Sequence, residues 1–224
     1  MSWQAMTLSF KLALSVSAIL FIIGIPVARW IAFSRARWKF LVEAIVALPL
    51  VLPPTVLGFY VLLTLGARTP LGRMCEAIFG HTLPFTFAGL VVASVLYSFP
   101  FAVQPFAASF AAVDPRLIAA SEILGASRWR TFFRVILPLS RAGIVTGIVL
   151  SFAHTLGEFG VVLMVGGDIP GVTRTISIDI YDNVQALNYA AANRSALALV
   201  VICFLILSIV YRFNRKAGPA WLRL

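Results

Sequence analysis

The stretch Asp114–Pro138 reads DPRLIAASEILGASRWRTFFRVILP, a polar, strongly patterned segment inside an otherwise apolar chain. Asp114 is placed to cap a helix, and Pro115 suits its first turn, where a missing N–H costs nothing. Arg116 to Leu124 continues that helix, and Gly125 supplies the permissive backbone that ends it. A second helix starts at Ser127. Its Trp129, Phe132, Phe133 and Ile136 fall at i, i+3, i+4 and i+7 on one apolar face, with Arg128, Arg130 and Arg134 away from the centre. Two short helices around a glycine, aromatic on one side and basic on the other, describe a hairpin at a membrane surface.

The rest of the chain supplies the membrane. Of 224 residues, 61% are hydrophobic and 12% charged, and mean hydropathy is +0.98. These values exclude an ordinary soluble domain and indicate an all-α, polytopic membrane protein. A net charge of +10 could serve nucleic acid, but basic residues of a membrane protein belong first to its cytoplasmic loops, so no nucleic-acid partner is expected. Cys75 reads as a loop residue and Cys203 lies in an apolar run, so no disulfide framework is implied.

Five apolar runs can be read as spans: Leu12 to Val27, Leu41 to Leu65, about Phe87 to Phe110, about Ile144 to Val165, and roughly Ala196 to Val210. The first carries its positive charge after the apolar run, at Arg29, Arg35, Arg37 and Lys39, as a retained span does and a signal peptide does not. The second is bent by Pro49, Pro53 and Pro54, and the third is broken by Pro100 and Pro105. Segments 66–84 and 166–193 read as outer loops. Placing the N-terminus outside and the C-terminus inside puts thirteen of the eighteen Lys and Arg residues on the inner side, including Arg212, Arg215, Lys216 and Arg223. No repeat or linker divides the chain, which reads as a single domain, 1–224, with a core from about 7 to 211.

The hairpin resembles the cytoplasmic signature loop of bacterial ABC importer permeases. The match runs through Ala119, Ala120, Ser121 and Glu122, then Gly125, then Val135, Leu137 and Pro138. Ala119 stands where the signature has Glu and Val135 where Ile is usual, while the glycine and the Leu-Pro keep their spacing. The LPLVLPPTV stretch at 48–56, LGEFG at 156–160 and IPGVTRT at 169–175 extend the resemblance from about Thr7 to Tyr211 and resemble the molybdate branch of the family, with sulfate permeases similar around LGEFG. The family often has Arg where this chain has His154. The resemblance implies the type I ABC importer permease fold in the bacterial inner membrane. It also implies a hairpin that seats on an ATP-hydrolysing subunit, molybdate as the cargo with sulfate or tungstate as the alternatives, a second permease copy and a periplasmic oxyanion-binding protein.

No G-x-x-x-x-G-K-[ST] loop occurs, so ATP would be handled by another chain, and no cofactor is expected. His154 and Glu158, four apart, would share a helix face as a pore or gate pair, or form an interhelical hydrogen-bonded pair, and Pro53 and Pro54 of the bent second span are further pore or gate candidates. Two ligands without a third make a metal site a poor alternative. An integral-membrane enzyme would have to be built on that pair, and a passive anchor would have no need of proline-bent spans. Arg174, in the longer outer loop, is the candidate contact for the binding protein.

Overall fold

The computed structural model describes residues 2–217, so Arg223 lies outside it. Among the described residues every regular element is helical. The helices are α1 (Trp3–Phe33), α2 (Lys39–Val51), α3 (Pro54–Leu65), α4 (Pro70–Phe79), α5 (Phe87–Ala111), α6 (Pro115–Ile123), α7 (Arg128–Leu139), α8 (Arg141–Gly157), α9 (Gly160–Gly166), α10 (Ile176–Gln185) and α11 (Tyr189–Ala217). Three of them, α1, α5 and α11, are long and apolar enough to cross a membrane. Five spans result if α2 with α3 and α7 with α8 each count as one.

The apolar runs are less simple than their sequences. The run from Leu41 to Leu65 is two helices meeting at 111°. Leu52 and Pro53 are extended between them, because a residue before proline is pushed out of the helical region and two consecutive prolines remove two donors. Pro49, by contrast, stays inside α2. The run from Ile144 to Val165 is also broken: α8 stops at Gly157, Glu158 is extended, and α9 restarts at Gly160. The expected break at Pro100 and Pro105 does not occur, since α5 continues through both. Its flanks are packed by α1 and α8, the setting in which membrane helices tolerate proline.

The outer segments are helical in part. Thr69 caps α4 by accepting from the Gly72 N–H at 2.9 Å, and Gly80, at φ 76°, ends it. Cys75 is therefore on a helix, and buried. Between 166 and 193 the chain forms α10, tied to α1 by the Ile176 N–H donating to Ser9 Oγ at 2.8 Å and to α11 by Ser195 Oγ donating to Asp179 Oδ2 at 3.1 Å.

The core lies where α1, α5 and α8 meet. Lipid tails are as apolar as leucine, so membrane helices associate through close fit, which favours small residues. Gly24 of α1 and Gly147 of α8 both face the Phe106 ring of α5. A Cβ at Gly147 would lie 2.6 Å from Phe106 Cε1 and 2.9 Å from the Ala102 carbonyl oxygen. One turn away, Gly143 leaves room for Ser109. Leu12, Val16 and Leu20 of α1 complete the cluster.

Gly147→Leu is expected to force α8 away from α5 at a cost of about 1–3 kcal/mol, whereas Val145→Leu, at an exposed position of the same helix, should be silent. Thermal unfolding of the purified variants in detergent distinguishes them.

Candidate functional site

The hairpin forms as its sequence suggests, and backbone bonds make its tip. Asp114 Oδ1 accepts from the Arg116 N–H at 2.8 Å and caps α6. At the other end the Ala126 N–H donates to the Ser121 carbonyl at 3.1 Å and the Gly125 N–H to that of Glu122 at 2.9 Å. This pair of bonds is the Schellman motif, with Gly125 at φ 79° in its left-handed position. Ser127 Oγ accepts from the Arg130 N–H at 3.3 Å and starts α7, and Ser121 Oγ meets Thr131 Oγ1 at 2.5 Å between the two limbs. Ala119, Ala120 and Glu122 are exposed, and Ile123 and Leu124 at the tip are 85% and 87% exposed.

The second limb departs from a single apolar face. Residues Phe132–Ile136 form a π turn, closed by the Leu137 N–H on the Phe132 carbonyl. Pro138 lacks a donor and its ring crowds the carbonyl four residues back, and a widened turn accommodates both. The register shift buries Phe132 and Ile136 and leaves Trp129 and Phe133 outside. The Arg29 guanidinium of α1 lies 4.1 Å from the Trp129 ring centre and 5.0 Å from that of Phe132. At the base, α7 and α8 bend by 71°, where Ser140 Oγ donates to the Ser109 carbonyl of α5 at 3.1 Å.

At the far end of α8 the two broken spans meet. A Cβ on Gly160 would lie 2.7 Å from Pro54 Cβ, so the restart of α9 is packed against the restart of α3. Gly58 gives similar room to Val161 and Met164. Pro54, Glu158 and His154 are thereby brought to one region, with Pro53 exposed beside it. His154 and Glu158 do not share a helix face, because Glu158 has already left the helix. His154 Nδ1 instead pairs with Ser98 Oγ of α5 at 2.9 Å, and Ser98 also meets Thr155 Oγ1 at 2.9 Å. The imidazole stacks on Phe101 at 4.0 Å and lies 4.9 Å from the Tyr97 ring. Glu158 is 5% exposed, and neither carboxyl oxygen has a hydrogen-bond partner among the described residues. Its polar neighbours are Ser94 and Tyr97 of α5. The serines were the missed signal: Ser94 and Ser98 are four apart in an apolar run, on one helix face.

Arg174 is held within its own loop. Its Nη2 donates to Asp168 Oδ2 at 2.7 Å, its Nε donates to Oδ1 of the same carboxylate, and Asp182 Oδ2 lies 3.4 Å from Nη2. The forked bond to Arg174 keeps the Asp168 carboxyl below its ordinary range, and burial raises that of Asp182. The Asp168 contribution is thus present above the unfolded carboxylate value of about 3.9 and is lost as pH falls through the lower folded value.

The bundle thus combines two broken spans with an exposed, glycine-turned hairpin, and comparison with known proteins gives its class. Residues 21–218 match the model of the binding-protein-dependent transport system inner membrane component family, and the chain belongs to that family. It is 50% identical over 215 residues to the molybdenum transport system permease protein ModB of Azotobacter vinelandii, covering 96% of this chain and 95% of that one. To ModB of Escherichia coli (strain K12) it is 37% identical over 222 residues, at 96% and 95% coverage. A probable sulfate transport system permease protein, cysT of Chlorokybus atmophyticus, is 34% identical over 166 residues, covering 72% of this chain and 58% of that one. Among solved structures, an inward-facing MetNI methionine ABC transporter chain superposes with a TM-score of 0.75 at 19% identity, covering 98% of this chain and 100% of its own. The type I ABC importer permease fold and a multi-pass inner-membrane setting follow.

Nothing lies within 4 Å of a Cβ built on Gly125, so only its positive φ resists substitution. Gly125→Val should cost the turn about 1 kcal/mol or more, and Gly125→Asn clearly less. Amide exchange across residues 121–131 should accelerate in the first variant and stay near wild type in the second.

Proposed function

We infer that this chain is the membrane subunit of a molybdate importer. It takes the oxyanion from a periplasmic binding protein, forms the path with a second copy of itself, and is driven by a separate ATPase. The near full-length similarity to relatives named as molybdenum permeases carries this reading. The absence of a phosphate-binding loop from the sequence supports an external source of energy. An enzyme built on His154 and Glu158 is disfavoured, because His154 Nδ1 is already engaged with Ser98 and the described residues hold no group of three or more His, Cys, Asp or Glu side chains placed to bind a metal.

The hairpin supplies the coupling. Ala119, Ala120, Ser121 and Glu122, with the apolar tip, form the knob that an ATPase would grip, and Gly125 with Leu137 and Pro138 set its shape. A displacement there passes through the α7–α8 bend, held at Ser109, into the 17 residues of α8, about 25 Å at 1.5 Å per residue. It ends at Glu158, where Pro54 abuts Gly160. The two breaks then act as the gate, with His154 anchoring α8 to α5 and Pro53 and Pro54 fixing the angle of α3. Arg174 contributes to binding-protein docking by shaping its loop through Asp168.

Reconstituted in vesicles with its ATPase and binding protein, the chain should take up labelled molybdate in an ATP-dependent manner, with sulfate a weak competitor. Uptake of sulfate but not molybdate would reassign the cargo to the sulfate branch.

From the distribution of Lys and Arg we infer that the N-terminus is outside and the C-terminus inside. In a cysteine-free background, Val172→Cys should react with an impermeant thiol reagent added to intact cells and Arg128→Cys should not. Val172 is exposed, while its neighbour Thr173 is buried and donates to the Gly166 carbonyl at 2.7 Å. Labelling at position 128 alone would reverse the topology.

A further inference from the structure

We propose that the groove between the end of α1 and the start of α2 binds one anionic phospholipid, its acyl chain in the groove and its phosphate on Arg35 and Arg37. This inference is independent of what the protein transports.

The groove has a volume of about 300 Å³ and is lined by Pro26, Val27, Trp30, Trp38 and Val42. That volume lies at the lower end of ligand-sized pockets, about 300–1,000 Å³, and the lining side chains are apolar except for the two indole N–H groups. Trp30 and Trp38 lie with ring centres 4.9 Å apart at 33°. Tryptophans concentrate at the membrane–water boundary, where one edge of the ring is apolar and the other wet. The pair therefore places the groove just below the headgroup level, where an acyl chain begins.

The charges beside it select the headgroup. The connection from α1 to α2 carries Arg35 and Arg37, both exposed and neither in an ion pair among the described residues. The other nearby cations are engaged: Lys39 lies 3.6 Å from Glu43, and Arg29 sits over Trp129 and Phe132. Two unpaired guanidiniums in the connection that joins the groove's two walls, one of them next in sequence to the lining Trp38, match a phosphate whose lipid has no cationic group of its own to compete. Guanidinium forks also bind phosphate oxygens in pairs. A zwitterionic lipid would fill the groove equally well but would bring a positive group beside the two arginines. A second copy of the chain would fill it without needing those charges.

The test equilibrates the purified full-length chain in detergent with equal amounts of phosphatidylglycerol and phosphatidylcholine, removes excess lipid, and weighs the chain with its bound lipid by native mass spectrometry. Wild type should retain one phosphatidylglycerol in preference to phosphatidylcholine. The double variant Arg35→Gln/Arg37→Gln, changed only in an exposed loop, should lose that preference with a drop on the order of tenfold in retained phosphatidylglycerol. Val42→Trp should fill the groove and exclude both lipids, with the elution profile in gel filtration reporting that the chain remains folded. Equal retention of the two lipids by wild type, or undiminished phosphatidylglycerol on the double arginine variant, overturns the proposal. So does a disulfide between two copies carrying Val27→Cys and Val42→Cys in a cysteine-free background, which would make the groove a subunit interface.

Discussion

The close approach of α1 and α8 to α5 rests on one ring, Phe106, held between Gly24 and Gly147. In hydrocarbon there is little gain in burying one apolar surface against another, because the lipid is already apolar. What remains is the fit of many weak contacts, each worth about 0.1–0.2 kcal/mol and lost when a gap opens. The ring and its two glycines set the separation of three helices at once. Polar groups of α5 lie on either side of that point: the Ser109 carbonyl toward the hairpin, and Ser98, Tyr97 and Ser94 toward the helix breaks.

Those breaks meet a constraint that soluble proteins escape. Backbone that leaves a helix inside a membrane has no water to bond and must be covered by other protein. Leu52 and Pro53 interrupt one span and Glu158 and Phe159 another, and the packing of Pro54 on Gly160 covers one interruption with the other. The arrangement also encloses the Glu158 carboxyl, a group whose burial is costly unless it is neutral or paired.

Much of this could be read in the chain. The hairpin was legible because each of its signals is local: an acidic cap, a proline in the first turn, a glycine at the end and a serine to start again. The double proline at 53 and 54 was equally visible, though its effect was a 111° turn and not a kink. The continuity of α5 through Pro100 and Pro105 was not legible, since it depends on what packs against the freed carbonyls. Nor was the loss of helix at Glu158, where LGEFG carries glycines but no proline. A helical spacing of four put His154 and Glu158 on one helix face, and the break took Glu158 out of the helix. Arg174 shows the same limit, because Asp168 and Asp182 meet it only once the loop is folded.

The tip of the hairpin has a consequence for how such a protein can change over generations. Its shape is written in main-chain bonds from Gly125 and Ala126 to the carbonyls of Glu122 and Ser121, and in a single positive φ. The exposed side chains at 122, 123 and 124 carry none of that geometry. They are therefore free to drift without loss of the hairpin's form, and under the coupling role proposed for the hairpin a permease would be matched to a diverged motor subunit by surface substitutions alone.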